Sequence, residues 1–260
     1  MLAEIKKELQ RLEVQQDIRI LYAVESGSRA WGFPSLDSDW DVRYIYIHRL
    51  DWYLQIDEKK DSREEILTNK IDLAGWDLKK TLKLFRKSNP PLLEWLNSPI
   101  IYLEKYSITE RLRSLIKEFF NPKSCIHHYL HMAEGNFREY LQMEIVRAKK
   151  YFYVLRPILA CDYIRQTNSM APMEFQKLLE TQVKDQKLKT TIIKLLTKKM
   201  KGEELDGEPK IQILNDFLND KINFYNNYVK SYDRGSQPDN SLLNDLFKQS
   251  INEVWDLALS

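Results

Sequence analysis

The run IRILYAV at residues 18–24 is almost wholly apolar, and no other segment constrains the fold as strongly. A strand with one wet face alternates apolar and polar residues. A strand lacking that alternation is buried on both faces, inside a sheet covered above and below. The run leads into Gly27-Ser28, a turn, and then a short helical or looped stretch through Pro34. A second strand is predicted over residues 41–47 (DVRYIYI), rich in β-branched and aromatic side chains. Residues 71–76 predict a third, after which Asp77 caps the helix LKKTLKLFRKS and Pro90-Pro91 stops it. Residues 100–103 add a fourth strand, and a helix over about 109–120 closes this part. Residues 51–70 are highly charged and read as an exposed insertion. Ahead of everything, Leu2, Ile5, Leu9 and Leu12 recur at helical spacing.

From Asn121-Pro122 onward the pattern contains no strand. Helical periods cover residues 124–140, 144–164, 173–199, 211–229 and 242–255, with polar breaks at 166–172, 201–209 and 231–240. Ile211, Leu214, Leu218, Ile222 and Tyr225 share one helix face, as do Leu243, Phe247, Ile251 and Val254. The expected architecture is α+β: a small mixed sheet with helices over residues 1–120, followed by an all-helical domain over 121–260. With 260 residues the chain is long enough to bury a core in each. A net charge of +2 is too small to demand a nucleic-acid partner by itself. Cys125 and Cys161 form no CxxC pair, which suits a reducing compartment and offers no zinc or disulfide framework. No stretch reads as a signal peptide or reaches membrane-spanning length, so a cytoplasmic location is expected.

The chemistry is concentrated between Glu25 and Arg43. Glycine at the end of a buried strand lets the backbone turn tightly and approach a ligand. A helix starting there would offer free N–H groups which, with the Ser28 hydroxyl, suit the β,γ-phosphates of a nucleotide. Gly27 and Gly32 have the spacing of two Walker A glycines, but Phe33-Pro34 stands where Lys-Ser/Thr is required, so this is not a P-loop. Asp39-Trp40-Asp41 opens the second strand, where residues two apart share a face. Carboxylates that close repel, and a divalent cation such as Mg²⁺ (or Mn²⁺), held together with water and phosphate, resolves the repulsion. A second ion requires a third carboxylate. Asp72 is the candidate from the neighbouring strand; Asp77 competes, although its place before LKKTLKLF suits a helix cap better. In the helical part Lys149, Tyr153 and Arg156 fall at i, i+4 and i+7, a face able to set a cation on the triphosphate and a ring on the base. Lys150 lies on a neighbouring face.

Gly27-Ser28 followed by Asp39-x-Asp41 resembles the signature of the DNA-polymerase-beta nucleotidyltransferases. More narrowly, ESGSRAWGF-x-S-x-DSDWDVR, DLAGWDLKK, NPPLLEWLNSPIIY and KKYFYVLRPILA, in that order between about Tyr22 and Ile164, resemble the polymerase-beta-like enzymes associated with RNA repair and RNA ligases (the RlaP type) of bacteria and phages. The resemblance implies a polymerase-beta-like nucleotidyltransferase domain, Mg²⁺ and an NTP donor. By association it also implies an RNA acceptor and an RNA ligase partner. Asp39, Asp41 and Asp72 are then the catalytic and metal-binding residues, and Gly27, Ser28, Lys149, Tyr153 and Arg156 the nucleotide-binding ones.

Plainer readings stand beside these. Glu25 reads as a structural acceptor for Arg29 or Arg43. His127 and His131 share a helix face but lack an HExxH pattern, and read as packing or surface residues. Trp31 and Trp76 read as core, and the lysines between Lys184 and Lys201 as a solvated helix face. Two other functions fit the same residues: adenylyl transfer to a protein or small molecule, and metal-independent nucleotide or RNA binding without catalysis.

Overall fold

The apolar run forms the centre of the sheet. In the computed structural model, which describes residues 1–68, 70–203, 206–230 and 239–257, α1 (Leu2–Gln16) leads into β1 (Ile18–Ser26). Then come α2 (Gly27–Ala30), β2 (Trp40–His48), α3 (Leu50–Tyr53), β3 (Ser62–Ile66), β4 (Ile71–Asp77), α4 (Leu78–Arg86), α5 (Pro90–Leu96), β5 (Ile101–Glu104) and α6 (Ile108–Phe119). The sheet order is β3-β4-β2-β1-β5, with β2 and β4 parallel and the other neighbours antiparallel. Placing β1 inside the sheet explains its lack of alternation, because both of its faces are covered. Ile5, Leu9 and Leu12 of α1 pack on one face against Ile20, Ala23, Val42, Tyr44 and Leu73. On the other, Val24, Ile45 and Ile47 meet Leu78, Leu82 and Phe85 of α4.

Two helix starts are fixed by side chains the sequence makes legible. The Asp77 carboxylate accepts the Lys79 amide, and Asn89, ahead of Pro90-Pro91, accepts the Leu92 amide. The charged stretch 51–70 is more than an insertion, since β3 pairs along β4 as an edge strand. Its sequence SREEI hides a strand by apolar pattern yet suits an edge, where charge discourages further pairing.

The C-terminal half comprises α7 (Pro122–Tyr140), β6 (Ile145–Arg147), a 3₁₀ turn (Ala148–Tyr151), α8 (Phe152–Thr167), α9 (Phe175–Gln182), α10 (Gln186–Met200), β7 (Asp206–Pro209), α11 (Gln212–Lys230) and α12 (Ser241–Trp255). Contrary to the sequence reading, it contains strands: β6 and β7 pair antiparallel. The helix expected from residue 144 therefore starts only at Phe152. The period over 173–199 is split where Asp185 caps α10 by accepting the Leu188 amide. Of the break expected at 231–240, residues 231–238 lie outside the described residues, as do 204 and 205 of the break at 201–209. Among the described residues no helix is long and apolar enough to cross a membrane.

The core does not divide at residue 120. One buried cluster runs from Leu21 and Ile45 through Tyr129, Leu155 and Leu218 to Val254. The last helix returns to the sheet: Trp255 Nε1 donates to the His48 carbonyl at 2.9 Å, and Phe247 meets Tyr53 edge-on.

Two glycines give opposite expectations. A Cβ on Gly75 would lie 2.2 Å from Cε2 of the buried Tyr44 ring, whereas one on Gly135, inside α7, would meet nothing within 4 Å. Gly75→Ala is expected to lower unfolding free energy by about 1–3 kcal/mol. Gly135→Ala is expected to raise it by about 0.5–1 kcal/mol. Urea denaturation of both variants checks the two signs.

Candidate active site

The site forms where β1 and β2 end together. Ser26 pairs with Asp41, and Gly27, at φ +65°, turns the chain out of the sheet into α2. A Cβ at Gly27 would lie 2.1 Å from Asp41 Oδ2, so glycine is required twice, by conformation and by the carboxylate pressed against it. Ser28, half-buried, follows at the same corner.

The loop to β2 is held by Arg29. Its guanidinium lies 3.7 Å from the Trp40 ring centroid, while Nη2 donates to the Ser38 carbonyl at 2.8 Å and Nε to that of Asp39 at 3.2 Å. Asp39 is thereby presented at the mouth of the site with its side chain exposed. Asp41 is fixed from behind: its amide donates to Glu25 Oε1 at 3.0 Å, and the Tyr102 hydroxyl donates to the other Glu25 oxygen. Glu25 is a structural acceptor as expected, but for Asp41 and Tyr102 rather than for Arg29 or Arg43.

The strand register settles which carboxylate stands beside Asp41. On the parallel strands β2 and β4, Asp41 pairs with Asp72. Asp77 lies at the other end of β4, opposite Tyr46, buried and bonded to the Tyr53 hydroxyl at 2.6 Å. Burial pushes the Asp77 carboxyl up to about 6 against the pull of those hydrogen bonds. It is a helix cap, not a site carboxylate.

Arg43 was not singled out as a site residue from the sequence. It lies two positions beyond Asp41 on the same face of β2, the signal that identifies it. Its Nη2 donates to Asp72 Oδ2 at 2.8 Å and to Asp41 Oδ1 at 3.2 Å, and Nη1 to the Asp72 carbonyl at 3.0 Å. Burial raises the pKa of the Asp41 carboxyl; Arg43 pulls it down, while the charges of Asp72 and Asp39 push it up. The same burial lifts Glu25 up to about 7, outweighing its hydrogen bonds from Tyr102 and the Asp41 amide.

One of the three candidates from the helical half, Tyr153, lies within electrostatic reach of this cluster. The Tyr153 hydroxyl is raised by burial and next by the charge of Asp41, and lowered by Lys149, so all three lie within electrostatic reach. Lys149 sits in the 3₁₀ turn rather than on the helix of Tyr153, and Lys150 lies 4.7 Å from the Tyr153 ring. Arg156 is placed elsewhere. It is buried, with Nη1 on Glu94 Oε1 at 2.9 Å and its guanidinium 4.7 Å from the centroid of Trp31. The periodicity that put it on a nucleotide-facing stripe is equally that of a core-facing one. Trp31 packs against Phe33 and Tyr153, and Trp76 stacks on Trp95, both as partly buried packing residues. His127 and His131 are exposed.

Among the described residues no group of three or more His, Cys, Asp or Glu encloses a metal position. The donors present nevertheless fit a hard divalent ion. Mg²⁺ is commonly held by one or two carboxylates, its remaining positions filled by water and substrate phosphates. Asp41 and Asp72 are register-paired and partly exposed, and only the absence of a Cβ at Gly27 leaves room for Asp41 Oδ2.

A small mixed sheet that ends in a glycine turn and presents paired aspartates beneath a helical half defines a polymerase-beta-type nucleotidyltransferase. The chain belongs to the RNA repair pathway DNA polymerase beta family (RlaP), whose model matches residues 1–249. It is 46% identical over 248 residues to the Bacillus subtilis (strain 168) protein described as "Uncharacterized protein YcgL", covering 95% of each chain. A solved structure, a nucleotidyltransferase-like protein from Exiguobacterium sibiricum 255-15, aligns with 97% of this chain and 89% of its own at 10% identity and a TM-score of 0.35.

Two measurements test the assignments. Arg156→Ala leaves Glu94 buried without its cation, and a loss of about 3–5 kcal/mol in unfolding free energy is expected. Tyr153→Phe, at a half-exposed position, should stay close to wild type. Glu25 has a folded pKa above its unfolded value, so its contribution to stability is complete below about 4.5 and lost as pH rises to about 7. Relative to Glu25→Gln, the wild type should therefore lose stability across that window and level off above it, as read by thermal melts from pH 4 to 8.

Proposed function

We propose that this nucleotidyltransferase moves a nucleoside monophosphate from an NTP to a hydroxyl of RNA and releases pyrophosphate. The observation that carries this reading is the pairing of Asp41 with Asp72 on adjacent parallel strands, beside a glycine turn that a larger residue would block. The family description supports RNA as the acceptor.

Divalent ions such as Mg²⁺, held by Asp39, Asp41 and Asp72, would supply charge neutralisation for the triphosphate and a more acidic acceptor hydroxyl. The chain's own residues orient the reaction. Gly27 and Ser28 face the phosphates at the strand-to-helix corner. Tyr153 and Lys149 cover the cleft from the helical half, the ring toward the base and the ammonium toward phosphate. The acceptor oxygen bonds to the α-phosphorus and the bond from that phosphorus to the bridging oxygen breaks. The hydroxyl proton passes to Asp72, and the electron pair leaves with pyrophosphate. Arg43, bonded to both carboxylates, keeps them oriented while their negative charges stand side by side.

Each of four α-phosphate-labelled NTPs, incubated with Mg²⁺ or Mn²⁺ and RNA bearing a free 3′-hydroxyl, should label the RNA with at least one nucleotide. Asp41→Asn should lower that rate by at least about a hundredfold with no loss of folded structure, because a neutral amide cannot replace a metal-binding carboxylate. Retained labelling in the variant overturns the site. Label moving only to added protein or small molecules overturns the acceptor.

A further inference from the structure

Away from the carboxylates, a groove of about 300 Å³ runs between α4 and α12. One wall carries Lys79, Lys83, Arg86 and Lys87 at helical spacing; the other carries Asn240 and Asn244, above an apolar floor that includes Phe247. Among the described residues no carboxylate lines it. None of the four cations takes part in an ion pair among the described residues, although Lys80, one position along, is paired with Asp61 at 2.9 Å. Arg86 Nε is buried without an acceptor among the described residues. Lys79 and Lys83 also border a neighbouring pocket lined by Asp57, Glu58, Asp61 and Asp77, whereas Arg86 and Lys87 line the groove alone. Cations gathered on one helix face repel one another, and an anionic ligand in the groove relieves that repulsion.

We propose that this groove binds the phosphodiester backbone of the acceptor RNA as a second contact, separate from the nucleotidyl-transfer site. The identity of the anion rests on the RNA reading above; the groove itself does not. From Lys79 to Lys87 the helix rises about 12 Å, enough to reach more than one phosphate of a single strand. The asparagine amides offer donors and acceptors to sugar and base edges, and the apolar floor suits a base or ribose. α4 continues directly from β4, the strand bearing Asp72, so a strand bound here is held in fixed relation to the carboxylates. The length of β4 separates the two sites by about 15–20 Å.

Fluorescence anisotropy of a labelled single-stranded RNA with full-length protein in EDTA, at several salt concentrations, tests this without any transfer occurring. Lys83 and Lys87 are exposed, so the double variant Lys83→Gln/Lys87→Gln should fold normally. Its Kd for RNA is expected to rise about tenfold, and the slope of log K against log salt to flatten by about 1.4. The matched control Lys187→Gln/Lys194→Gln on α10 should change neither. Unchanged affinity and slope in the α4 variant overturns the groove, as does an equal loss in the α10 control, which would mean diffuse attraction. Retained RNA affinity with lost binding to phosphatidylserine vesicles also overturns it, in favour of a lipid surface. Groove-dependent RNA binding without any RNA labelling in the transfer assay leaves the groove standing and overturns only the acceptor reading.

Discussion

The arrangement of the site depends on one pairing, the parallel alignment of β2 with β4 that sets Asp41 opposite Asp72. Two carboxylates placed so close repel, and an isolated sheet would gain by slipping the register. The slip is blocked on several sides. A one-residue shift would turn Val42, Tyr44 and Leu73 out of the core packed by α1. It would also break the bond from the Asp41 amide to buried Glu25 and drive the Gly27 turn into a different neighbour. The sheet is therefore overdetermined where it carries the charges, and Arg43, bonded to both carboxylates, offsets part of their repulsion.

The helical half is attached at the segment between the glycine turn and the aspartates. The Phe175 amide donates to the Trp31 carbonyl at 2.9 Å, and Lys199 Nζ to the Phe33 carbonyl at 2.9 Å. Phe33 packs against Phe152 and Phe175, and the buried Arg156 guanidinium faces Trp31. Tyr153 thus stands near Asp41 because its helix is anchored to the same loop that Arg29 holds over Asp39. Backbone hydrogen bonds and an aromatic cluster tie the helical half to the loop between the glycine turn and the aspartates.

Much of this was legible in the sequence, for identifiable reasons. β1 announces itself because a strand buried on both faces is an apolar run, β2, β4 and β5 because β-branched, aromatic or leucine residues gather in them, and α4 because Asp77 is a cap that precedes a helical period. Asp41 falls at the start of β2, whereas Asp39 lies in the loop one residue ahead of that strand. What failed to show depends on partners distant in the chain. β3 is polar, and β6 and β7 are short; their pairing is decided by the strand opposite rather than by their own composition. The choice of Asp72 over Asp77 required the register, since both lie in the same strand. Arg156 occupies a helix position that suits a ligand or a core contact equally well, and the deciding partner, Glu94, is 62 residues away.

Arg43 is the residue whose meaning the fold changes most. A guanidinium is planar and can hold two carboxylates at once, which a lysine cannot do in the same geometry. Here it satisfies Asp41 and Asp72 together, yet the cluster with Asp39 still carries net negative charge. A nucleoside triphosphate approaching that cluster meets repulsion that one guanidinium cannot cancel. Under the proposed reaction the acidic face would favour nucleotide only when further positive charge comes with it, as divalent ions on the phosphates would supply. Arg43 holds the carboxylates in place before that charge arrives, and under the proposed reaction it does so without occupying Asp41 Oδ2, which faces the Gly27 turn. One oxygen of Asp41 is thus tied to the scaffold and the other is turned toward the corner where phosphate is proposed to sit, a division of labour that follows from the missing Cβ at Gly27 and the alternation of a single strand.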